Sequence, residues 1–207
     1  MLENELSPSM EDRTVYLQDY APPDFSISKI ALDFRLGKKS TRVSAIMNIS
    51  KTGNSDRPLI LDGQKIKLLE LKLDGRVLPD TEYLVDDESL QIAAVPESFE
   101  LQIVTEVSPQ LNTELSGLYQ SSGNFCTQCE AHGFRRITYF MDRPDILSEY
   151  EVTIHADKIS YPVLLSNGNP VARGDNSDGT HWHSWHDPHP KPCYLFALVA
   201  GDLQYIN

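Results

Sequence analysis

Apolar and polar positions alternate with period two along most of the chain, the signature of strands with one buried face. Val43, Ala45, Met47 and Ile49 alternate with Ser44, Ile46, Asn48 and Ser50. Leu69, Leu71 and Leu73 alternate with Glu70 and Lys72, and Asp74-Gly75 then leads into Arg76-Val77-Leu78, which predicts a strand, a tight turn and a second strand. Phe25 and Ile27 lie on one phase while Ile30, Leu32, Phe34 and Leu36 lie on the other, so this run contains a bulge or a kink. Further strands are predicted at 90–95, 100–104, 135–140, 152–156, 181–185 and 194–199. Turn chemistry separates the runs at 51–54, 166–169 and 175–179, where Gly, Asn and Asp tolerate positive φ. One short helical turn is expected, with Asp142 as its cap and Pro144, Ile146, Leu147 and Tyr150 following. Many short strands separated by frequent turns predict an all-β fold, an antiparallel sandwich or curved sheet.

Composition agrees with a folded domain. The 207 residues are 40% hydrophobic and 23% charged, and seven Phe and nine Tyr supply core material. Residues 1–13 read as a solvated tail ahead of a domain over 14–207. The formal net charge of −12 argues against a nucleic-acid partner, because an acidic surface repels phosphate. The longest apolar run, 193–201, is too short for the roughly 20 residues of a spanning helix, so no membrane partner is expected. The acidic N-terminus does not read as a secretory signal, and three Cys with no export signal suggest a cytoplasmic protein with free thiols.

Three stretches carry candidate chemistry. HWHSWHDPH puts His181, His183, His186 and His189 close together, with His at i and i+2 on one side of a strand. No ligand partner stands at a convincing spacing, so the simpler reading is a strand followed by a proline-stiffened loop with exposed imidazoles. Cys126-Thr127-Gln128-Cys129 is a C-x-x-C without a second pair or a βαβ context, which reads as two free thiols. A small metalloprotein built on these Cys and His residues is the competing reading. Gln128 and Glu130, in extended chain, would project to one face and could hold a ligand ammonium by charge and hydrogen bonds. The competing reading there is an ion pair of Glu130 with Arg135 or Arg136. No nucleophile elbow, P-loop, G-x-G-x-x-G or H-E-x-x-H occurs.

A series of blocks stands in fixed order along the chain: Asp19-Tyr20 with Pro23-Asp24, LSGLYQ at 115–120, TQCE at 127–130, GFRRITY at 133–139 and DRPD at 142–145. ADKISYP at 156–162, LLSNGN at 164–169, His181-Trp182, Trp185 and DPHPKPCYLFALVAGD at 187–202 complete the series. Together they resemble the N-terminal domain of the M1 family of zinc aminopeptidases. The resemblance implies a saddle-like β-domain packed on a separate catalytic domain. That second domain would carry zinc on H-E-x-x-H and a distant Glu, and these motifs are not in the present sequence. It implies that Glu130 holds the free α-amino group of a peptide substrate with Gln128 beside it, and that this domain supplies no metal ligand. It also implies that Arg135, Arg136 and Asp142 are anchors behind that pair, and that His183, His186 and His189 are surface residues. An apolar patch is expected where the catalytic domain docks. A stand-alone peptide-binding module with the same carboxylate is the alternative.

Overall fold

The structure, a computed structural model, describes residues 16–53 and 56–204. The tail expected over 1–13 lies outside these residues. Among the described residues the regular structure is all-β, with fifteen strands in three sheets and four short 3-10 turns. The order across the eight-stranded sheet begins β13 (Asn169–Asp175), β14 (Thr180–Lys191), β11 (Ser148–Asp157) and β1 (Phe25–Leu36). It continues with β2 (Thr41–Lys51), β8 (Ser98–Val107), β4 (Lys67–Leu73) and β5 (Arg76–Val77). Neighbours pair antiparallel except β1 with β11, which run parallel. A four-stranded sheet has the order β12 (Val163–Ser166), β15 (Leu198–Gly201), β10 (Asn124–Gln128) and β9 (Gly117–Ser121). β3 (Leu59–Asp62), β7 (Ser89–Ile92) and β6 (Tyr83–Val85) form the third sheet. No helix of the described residues is long and apolar enough to cross a membrane.

Period-two patterning accounts for most of these strands. In β2, Val43, Ala45, Met47 and Ile49 are all buried. The phase change in β1 is a bulge: its register with β2 shifts between Ile27 and Lys29, which lets both apolar sets face the core. The Asp74-Gly75 turn, both residues at positive φ, joins β4 to β5 as expected.

Two segments differ from the sequence reading. No helical turn follows Asp142; after a turn at Pro144, residues 148–157 alternate buried and half-buried as β11, between β1 and β14. Sheet pairing on both sides overrides the local helix signal, and Leu147, assigned to the helix face, is exposed. The strand expected at 135–140 is instead a 3-10 turn, Phe134–Arg136, and an irregular segment with a single bridge from Phe140 to Asp62. Residues 137–140 are buried consecutively rather than alternately, so their apolar run marks a threaded core segment, not a pleated face. Similarly, 194–199 begins with the 3-10 turn Cys193–Leu195, and the strand starts only at Leu198.

Aromatic packing ties the layers together. Phe134 meets Phe140 edge-on at 5.0 Å and Phe196 at 5.3 Å between ring centroids, and Phe196 stacks on Phe34 of β1 at 5.9 Å. This cluster lies directly behind the segment that leaves β10.

Candidate functional site

β10 ends at Gln128, paired with Gly117 of β9. The chain then buries Cys129 and turns outward at Glu130. A turn over 130–133 closes with the Gly133 N–H donating to the Cys129 carbonyl at 2.8 Å. Gly117 (φ 76) and Gly133 cross at the base of this turn. A Cβ on Gly133 would lie 2.3 Å from the Gln128 carbonyl oxygen and 2.9 Å from the Gly117 nitrogen, so only glycine permits the approach. The Glu130–Ala131 peptide bond is cis.

Gln128 and Glu130 are both exposed. They are not brought together by the two-residue period of an extended strand, because Glu130 already lies in the turn. Instead the Gln128 side-chain Nε2 donates to the Glu130 backbone carbonyl at 3.2 Å, bracing the turn from the strand end. Among the described residues the Glu130 carboxylate takes part in no ion pair, since the two nearby arginines are engaged elsewhere. Arg135 pairs with Asp142 (Nε to Oδ2, 2.8 Å) and Asp62 (Nη1 to Oδ1, 3.5 Å), while Arg136 pairs with Glu114, which also receives Lys65. Asp62, which carried no signal in the sequence, sits at the end of β3; burial raises its carboxyl above the usual range, and the Arg135 charge opposes that rise.

The histidine stretch departs from expectation. β14 continues to Lys191, and Pro188 and Pro190 fall where three of its residues bulge against one of β11, the place a strand accommodates proline. Exposed imidazoles are not the rule there. His181 is buried with Nε2 at 2.7 Å from the Tyr161 carbonyl, His183 is half-buried, and His186 meets Glu149 at 2.5 Å. His189 is exposed. Cys126, Cys129 and Cys193 are free thiols. Among the described residues no three His, Cys, Asp or Glu side chains are grouped so as to hold a metal ion.

An apolar row crosses the outer face of the four-stranded sheet. Register aligns Tyr119, Cys126, Val199 and Leu165 side by side, with Phe125, Ala200 and Leu164 on the opposite, buried face. Gln128 lies two residues beyond Cys126 on the same face, so the row runs up to the Gln128–Glu130 turn.

Comparison with known proteins finds relatives that match nearly the whole chain. The chain is 52% identical over 194 residues to aminopeptidase N of Caulobacter vibrioides, covering 94% of this chain and 22% of that protein. It is 48% identical over 199 residues to aminopeptidase N of Escherichia coli, covering 96% and 23%. The chain thus spans about a fifth of the length of these relatives. The crystal structure of Legionella pneumophila aminopeptidase A in complex with aspartic acid superimposes with a TM-score of 0.86 at 37% identity, covering 91% of this chain and 22% of that one. The model of the Peptidase M1 N-terminal domain matches residues 25–195, which takes in the core of the large sheet, the 128–130 turn and the strands behind it, and the chain belongs to that family.

Proposed function

We propose that this domain serves a zinc-dependent aminopeptidase that removes N-terminal amino acids from peptides, and that Glu130 receives the free α-ammonium of the substrate. The observation that carries this reading is an exposed carboxylate held on a braced turn while both neighbouring arginines are bound to other acids. An α-amino group has a pKa near 8, so it is largely protonated at neutral pH and complements Glu130. Gln128 stands beside it with a carboxamide oxygen free to accept from the same ammonium. The relatives' names and the family membership support the same class of reaction.

In this reading the zinc of the proposed enzyme would be held by a separate catalytic domain. The part of this chain is recognition. It fixes the leading amine and thereby sets which peptide bond is presented for cleavage. A peptide whose amine is blocked would leave Glu130 desolvated and without a partner, which selects against it. The apolar row of Tyr119, Cys126, Val199 and Leu165 supplies a docking face for the catalytic domain beside the amine-binding turn.

Incubating the complete enzyme with a free peptide and its N-acetylated counterpart tests the reading. Stepwise loss of the first residue from the free peptide only is the expected result. Equal cleavage of both would overturn it.

A further inference from the structure

We propose that Asp142 is a positioning residue for Glu130, acting through Arg135; the inference rests on the amine-binding reading of Glu130. The Asp142 side chain is 1% exposed. Its Oδ2 accepts from the Arg135 backbone N–H at 3.2 Å and from Arg135 Nε at 2.8 Å, and its carbonyl accepts from Arg135 Nη2 at 3.3 Å. Its Oδ1 accepts from the Cys193 thiol at 3.0 Å. Its own N–H donates to Asp62 Oδ2 at 3.0 Å, and Asp62 also faces the Arg135 guanidinium. Through its carboxylate and its backbone, Asp142 thus gathers the turn after Glu130, the end of β3 and the segment before β15.

The geometry links this cluster to Glu130 by a short path. Only residues 131–134 separate Glu130 from Arg135. On the strand side the turn is held by Gln128 on the Glu130 carbonyl and by Gly133 on the Cys129 carbonyl. On the far side Phe134 sets the depth of the turn in the aromatic cluster. The bond from the Arg135 N–H to Asp142 then fixes rotation about that anchor. Charge-assisted hydrogen bonds are suited to this, because they are directional where apolar packing is not. Asp142 touches no substrate in this scheme; it sets where the Glu130 carboxylate stands.

Two measurements on Asp142→Asn and, independently, Arg135→Lys test the idea. In the 207-residue chain, hydrogen exchange of the Gly133 amide is expected to accelerate about tenfold or more, while β1 and β2 amides keep their rates. Native protection of Gly133 in the folded variants, or loss only in step with β1 and β2, would overturn it. In the complete enzyme with an aminoacyl 4-nitroanilide, KM is expected to rise fivefold or more with kcat within twofold and zinc content unchanged. In a Glu130→Gln background the same substitutions are expected to add nothing further. An equal multiplicative effect in both backgrounds would overturn the positioning role. If Glu130→Gln itself left KM unchanged, the amine-binding reading would fail instead, and this inference with it, whatever the exchange rates.

Discussion

Cys126, Cys129 and Cys193 surround the β10–β15 pairing, yet they differ in their access to solvent. Cys126 is half-buried on the outer sheet face, while Cys129 and Cys193 lie in the core. Burial pushes all three thiols up, and the Asp142 charge adds to the rise at Cys129 and Cys193. A raised thiol pKa keeps the neutral, unreactive form through neutral pH. Titration with an aromatic disulfide reagent at pH 7.5 is therefore expected to find one slowly reacting thiol per native chain and three after denaturation. Three fast thiols in the native chain would contradict the burial. The free-thiol reading of the C-x-x-C was legible in the sequence because no second ligand pair accompanies it. The Cys193–Asp142 contact was not, since it joins residues 51 positions apart with no periodic signal between them. Glu130 itself was legible as a candidate, but whether an arginine would neutralise it depended on Glu114, Asp62 and Asp142 competing for those arginines in space.

The element that matters most is the turn leaving β10, and its shape depends on backbone crossing backbone. Gly133→Ala places a methyl against the Gln128 carbonyl and the Gly117 nitrogen, neither of which can swing aside as a side chain would. Such overpacking is expected to cost about 1–3 kcal/mol of stability. Urea denaturation of the variant measures it, and a midpoint equal to the parent's would count against the crossing. The strands around this turn were readable because alternation survives wherever one face is buried, as at Val43, Ala45, Met47 and Ile49. The reading failed where tertiary pairing or packing replaced alternation. Ser148 to Val152 joined the large sheet instead of a helix, and Ile137 to Phe140 were buried on all sides. The length of β14 was missed because its prolines sit in a bulge that only pairing with β11 reveals.

At the scale of the molecule, the large sheet and the aromatic cluster form a platform, and the four-stranded sheet carries an apolar row that runs up to the turn bearing Glu130. Leu165 is 38% exposed in that row. Without a partner domain, such a row favours self-association. Sedimentation of the 207-residue chain is expected to show concentration-dependent dimers that Leu165→Lys abolishes; a parent chain that stays monomeric at high concentration would remove the docking role of this face. The central claim is narrower and concerns one carboxylate. Its most direct test is kcat/KM of the complete enzyme carrying Glu130→Ala on substrates with a free amine. Removing one partner of a desolvated charge pair is expected to cost about 2–5 kcal/mol, or roughly 30- to 4000-fold in kcat/KM. A value within twofold of the parent enzyme would contradict the account.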